Sequence, residues 1–286
     1  MQLSEKAMLA SLTISQWSAK KHDKRVSQEV ADKHNSDVDM GRFNKSLVAK
    51  KALEKIQKIA GQARTDFYYH TLPWKDDGSR ILTNTGYLKL TELVRDYSHQ
   101  WEDATQEFFE QYDSYVEQAK KSLNGLFDAD DYPNASELRQ KFRFGFHVNP
   151  LPEAEDFRVK LSAEEIKLCK QQIEQSLQDS VKDAMKDVWL RMRGVVASMA
   201  EKLKAYKVTP DGTEGVFRDS LVQNMRDLLS IIPALNLTED SAVKKFAAEM
   251  EKLCKYDANT LRDNDGTRLQ VAKAAEDILN KMQQYV

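Results

Sequence analysis

Glycine and proline are scarce, ten and six in 286 residues. A fold built mostly from strands needs more turn residues than that, so a helix-rich chain is expected. Cysteine is scarcer still: Cys169 and Cys254 are the two. Both fall in helical patterns, which points to buried reduced thiols rather than a disulfide scaffold. No apolar run approaches the roughly 18 residues of a membrane span. The opening residues, Met1 to Lys6, lack the basic-then-apolar order of a signal peptide. A cytoplasmic protein with no membrane role is the expectation.

Catalytic signatures are missing too. There is no Gly-rich phosphate loop, no G-x-S-x-G elbow and no H-E-x-x-H. The five histidines are scattered. Asp96-x-x-His99 has metal-ligand spacing, but a di-iron bundle needs a second copy and two further carboxylates. Asp263-Asn264-Asp265-Gly266 resembles a calcium loop, yet it puts Leu261 and Ala272 where oxygen donors are required. No enzyme activity, no catalytic residue, no metal and no cofactor are expected.

Charge is abundant and nearly balanced, 43 Lys and Arg against 45 Asp and Glu, so the whole chain exerts no global pull on nucleic acid or acidic membranes. Its distribution is uneven. The first 75 residues are basic and residues 76–157 are acidic, which lets the two regions attract each other or lets the basic one meet an acidic partner.

Periodicity predicts an all-α fold organised around Tyr87 to Tyr206. A very long third helix, Tyr87 to about Leu126, repeats Leu90, Val94, Tyr97, Trp101, Ala104, Phe108 and Tyr112 at threes and fours. A fourth, from Ser162 with Glu165 as capping-box partner to about Tyr206, repeats Ile166, Cys169, Ile173, Leu177 and on to Leu203. The two are expected to run antiparallel as an elongated pair. Met185, Trp189 and Val196 widen the second stripe, so another element should cover it there. Before the pair lie a helix from Thr13, whose box partner is Gln16, to about Lys33, a second from about Asn44 to His70, and an ordered connector through Pro73 and Asp77-Gly78. After it come three shorter helices, about 214–231, 239–254 and 267–285. The divisions are 1–82, 83–206 and 207–286, expected to form one continuous unit.

Between the long helices, apolar and polar residues alternate on both sides of a proline loop, which predicts a small β-hairpin. Phe142, Phe144, Phe146, Phe157 and Val159 would share its apolar face. A lone ribbon is unstable in water, so that face must bury against this chain, a second copy or a partner. These five residues are the candidate protein interface. The candidate nucleic-acid residues are Lys45, Lys50, Lys51, Lys55 and Lys58, which spread positive charge along the second helix and would grip a phosphate backbone without reading sequence. A solvated face, or pairing with the acidic third helix, is the simpler explanation of them.

Three segments together carry a resemblance. They are Leu12 to Trp17, Leu72-Pro73-Trp74 through Asp77-Gly78 to Leu82, and Phe142 through Pro150 to Val159. With the length, they resemble an uncharacterised family of helical proteins encoded by bacteriophages and prophages, and the resemblance covers most of the chain. It implies action in the bacterial host cytoplasm. Relatives of this type are similar to proteins encoded near MoxR-like AAA+ ATPases, which implies an adaptor or assembly partner of such an ATPase. The sequence-level expectation is therefore a non-enzymatic helical scaffold or adaptor that binds a protein partner or itself. The alternatives are a sequence-independent nucleic-acid-binding protein and a phage inhibitor of a host protein.

Overall fold

A computed structural model describes residues 3–153, 162–210 and 212–285. The chain begins with strand β1 (Ala7–Ser15) and continues through β2 (Lys20–His22), helix α1 (Lys24–Lys33) and β3 (Asn44–Ser46). Helix α2 (Lys51–Tyr69), β4 (Leu72–Pro73) and β5 (Ser79–Thr83) lead into the long helix α3 (Asn84–Leu123). Then follow α4 (Ala135–Gln140), β6 (Arg143–Asn149) and the second long helix α5 (Ala163–Ala205). A short hairpin of β7 (Lys207–Thr209) and β8 (Gly212–Glu214) precedes α6 (Ser220–Leu235), α7 (Ser241–Leu253), α8 (Ala258–Asp263) and α9 (Asp265–Met282).

The expectation of an all-α fold is overturned. The chain is mostly helical, but a four-stranded sheet in the order β4-β5-β1-β6 stands beside two small hairpins, β2-β3 and β7-β8. Thr13 lies inside β1, not at a helix start. Its predicted box with Gln16 fails because Ala7–Ser11 pair antiparallel with Ser79–Thr83. A partner some 70 residues away decides between strand and helix, and a short apolar run does not show that locally. The connector is strand as well: Leu72 faces Ile81 and Pro73 faces Arg80. Pro73 is tolerated because β4 is the edge of the sheet, where no ladder donor is needed. Gly78 sits at φ +84°, and the Asp77 carboxylate accepts the Ser79 amide at 2.8 Å, so Asp77-Gly78 turns the chain between the two strands.

The chain resolves into two units. One holds Met1–Ser11, Tyr68–Leu90 and Val148–Val286, and the other holds Leu12–Phe67 and Thr91–His147. The expected antiparallel pair of long helices is not a shared core. The buried face of α3 (Trp101, Ala104, Phe108, Tyr112) belongs to the second unit's core, and that of α5 (Ala184, Val188, Met192, Met199, Leu203) to the first unit's.

In the first unit, α5 packs against α6, α7 and α9. The widened stripe is covered here: Trp189 stacks on Tyr285 at 4.5 Å and meets Phe246 edge-on. Arg191 donates to the carbonyls of Tyr68, Tyr69 and Thr71 and pairs with Asp187 at 2.7 Å, satisfying acceptors left over where α2 ends. The Ser162–Glu165 capping box is formed in both directions.

In the second unit, α2 and α3 enclose an aromatic core. Trp17 meets Tyr112 edge-on, and Phe108 lies among Trp17, Tyr112, Tyr115 and Phe142. The basic first quarter meets the acidic middle here. The Lys45 ammonium contacts Asp131 at 2.7 Å and the Leu126 carbonyl, and Lys55 pairs with Glu107.

Candidate functional site

The first unit carries an open groove of about 1310 Å³ between α6 and α7. Its position follows from the turn joining the helices. Asn236, buried after the end of α6, grips Asp240 twice: its amide donates to the Asp240 carbonyl and its carbonyl oxygen accepts the Asp240 amide, each at 2.9 Å. Asp240 then caps α7 by accepting the Ala242 amide at 2.8 Å. Between them Glu239 holds a left-handed φ of +57°, and its carboxylate is paired with Lys6. That pairing holds the Glu239 carboxyl below its ordinary range.

The floor of the groove is apolar. Leu229, Ile232 and Pro233 of α6 face Ala247 and Ala248 of α7. Pro233 lies inside α6 and has no amide proton for the Leu229 carbonyl, so one acceptor on this wall lacks its helical donor. Alanines on α7 leave room for a third element to come close. The rim is charged, with Arg226, Lys244, Lys252 and Lys255 against Glu239 and Glu251. Arg226 closes one end by donating to the Cys254 carbonyl at 3.0 Å. Burial pushes the Cys254 thiol up, only partly opposed by Arg226, which disfavours the thiolate. The volume exceeds the usual few hundred to about 1000 Å³ of a small-molecule pocket, and the groove is open along its length, so it suits a polypeptide segment better.

The residues singled out from sequence lie elsewhere. Phe142 and Phe144 are half-buried and pack on the second unit's core, Phe144 at 5.9 Å from Trp101. Phe146 meets Phe67 edge-on at 6.4 Å. Phe157 and Val159, with the return strand of the predicted hairpin, lie outside the described residues; β6 neighbours β1. Lys45 is buried in a network with Asp131 and Asp23. Lys50, Lys51 and Lys58 are exposed, as is Lys55 in its pair with Glu107. The five lysines therefore do not share one free face. Among the described residues no group of three or more His, Cys, Asp or Glu is placed to hold a metal ion, and no helix is long and apolar enough to cross a membrane.

Sequence reading missed the groove. Periodicity ends the first of the three C-terminal helices at about 231, whereas α6 continues through Pro233 to Leu235. The available signal was the lysines that flank the Ala247-Ala248 step, Lys244 and Lys245 before it and Lys252 and Lys255 after it.

No protein family, no curated protein and no solved structure matches the chain.

Proposed function

We propose that the protein is a non-enzymatic helical adaptor that binds a segment of a partner protein in the groove between α6 and α7. The observation that carries this reading is the groove itself, an apolar floor set between two helices whose turn is fixed by Asn236 and Asp240. A recognition surface held in shape before binding loses less ordering entropy when it is occupied. Helix-lined grooves of this kind take the apolar face of another helix. A phage origin and an AAA+ ATPase as the partner belong to this proposal through sequence resemblance alone.

A display selection with random peptides tests it, run in parallel on the chain and on an Ala248→Trp variant that fills the exposed floor. Peptides enriched on the chain and lost on an equally stable variant support the reading. No enrichment, or enrichment indifferent to the tryptophan, sinks it.

A second reading, sequence-independent nucleic-acid binding, is favoured by one observation. Lys50, Lys51 and Lys58 are exposed, and none has a carboxylate within ion-pair distance among the described contacts.

A further inference from the structure

We infer that the segment bound between α6 and α7 is an acidic amphipathic helix, an inference that rests on reading this groove as a docking surface. Four cations line it, Arg226, Lys244, Lys252 and Lys255, against two carboxylates. One of those, Glu239, is already neutralised by Lys6. Lys244 and Lys252 are both exposed on the rim; Lys244 adds to the charge that holds the Glu239 carboxyl down, and Lys252 is in no ion pair among the described residues. A partner with carboxylates flanking an apolar ridge meets that rim with complementary charge, and a basic one meets like charge.

The walls argue for a helix over an extended strand. An extended segment must find partners for its own amides and carbonyls. Both walls are helices, whose interior backbone groups bond within the helix, apart from the Leu229 carbonyl, for which Pro233 has no amide proton. A helix satisfies its own backbone and needs only a place for one face. The stretch of α7 that lines the groove runs from Lys244 to its end near Lys255, which matches about three turns of partner helix. The expected occupant has apolar residues at i, i+3, i+4 and i+7, with Asp or Glu on either side of that stripe.

Three stapled, fluorescent helical peptides of about 15 residues test this, identical on the apolar face and carrying Glu, Gln or Lys on the flanks. The Glu peptide is expected to bind about tenfold more tightly than the Lys peptide at low salt. The gap should narrow as salt is raised. Reversing two exposed rim charges, Lys244→Glu with Lys252→Glu, should invert the order. Ala248→Trp should remove binding of all three. Equal affinity for the Glu and Lys peptides, or an order that survives the charge reversal, overturns the acidic partner while leaving the groove as a docking surface. If none of the three binds and the random-peptide selection is empty, both readings fall. Self-association that Ala248→Trp abolishes and the Glu peptide cannot compete with would assign the groove to a second copy, and would also overturn the inference.

Discussion

The ammonium of Lys45 lies 2.7 Å from the carboxylate of Asp131, and both side chains are nearly closed off from water. Asp23 approaches the same ammonium at 3.8 Å, and the Leu126 carbonyl accepts from it at 2.7 Å. Lys45 is thus a tie inside the second unit, joining β3 to the segment that follows α3. Its charge is spent on neighbours in the fold.

Lys45→Met should therefore destabilise the protein by about 3 kcal/mol, because it leaves the Asp131 carboxylate buried with only Lys21 nearby, at 3.6 Å. Adding Asp131→Leu should recover part of that loss, since removing both charges also removes their desolvation cost. Denaturant unfolding of the single and double variants measures it. A single variant as stable as the parent would contradict the burial described here.

Tyr97 donates its hydroxyl to Asp66 at 2.6 Å, and its pKa is pushed up to about 12, first by burial and then by the Asp66 carboxylate. The folded-state value lies above the ordinary phenol value of about 10, so the fold favours the protonated form. This contribution to stability is complete below pH ~10 and is lost as pH rises through about 12. In an ultraviolet pH titration, Asp66→Asn should move the Tyr97 transition down while leaving it above the ordinary phenol range, since burial remains. Tyr112, pushed up to about 12 mainly by burial, should stay where it is and serves as the internal reference.

Much of the helical architecture was legible because it is written in local signals. The Asn134–Glu137 and Ser162–Glu165 boxes mark their helix starts in sequence and are formed in the fold. The stripe of α3 is a buried face, and that of α5 is one from Ala184 to Leu203, whereas Ile166, Cys169 and Ile173 at its start are only half-buried. The sheet was not legible, because β1 becomes a strand through Ser79–Thr83; Ser11 to Ser15 alternate polar and apolar residues, but Ala7 to Ala10 do not, and that is too short an alternation to announce a strand by itself. Nor did the stripes reveal that the two long helices serve different cores. Periodicity says which face is buried but not against what. The groove was hidden for the same reason. It arises where α6 meets α7, and Asn236 and Asp240 read in sequence as ordinary turn residues.

Phe144→Asp should lower stability by about 2 kcal/mol, because the ring packs half-buried on Trp101 and the carboxylate would have no partner there. Thermal unfolding followed by Trp fluorescence reads it. Unchanged stability would mean that the β6 phenylalanines are free of the core and available as an interface.

If the basic face of α2 meets nucleic acid, gel shifts should show binding at low salt that falls steeply as salt rises. Replacing exposed Lys50, Lys51 and Lys58 together by Ala should then reduce the salt slope by about three, one per lost phosphate contact. Lys45→Met, though destabilising, should leave the slope nearly intact, because that ammonium is not accessible. Absence of low-salt binding to both DNA and RNA ends this reading.

Asn236→Ala separates the shape of the groove from its charge. The substitution removes both hydrogen bonds to Asp240 and should cost about 1–2 kcal/mol of stability. It touches none of Arg226, Lys244, Lys252 or Lys255, so the rim charge is unchanged. If the groove binds because its turn is fixed, affinity for the Glu-flanked peptide should still fall severalfold, since the angle between α6 and α7 is no longer held before binding. Asn236→Asp keeps the acceptor for the Asp240 amide but sets a carboxylate oxygen against the Asp240 carbonyl and adds negative charge to the groove, so it should be no more stable than the Ala variant and should bind the Glu-flanked peptide more weakly still. Calorimetric titration beside thermal unfolding distinguishes the cases. Affinity that ignores Asn236 while responding to Lys244 and Lys252 would mean that charge alone recruits the partner, and that the fixed turn serves only the stability of the α6–α7 pair.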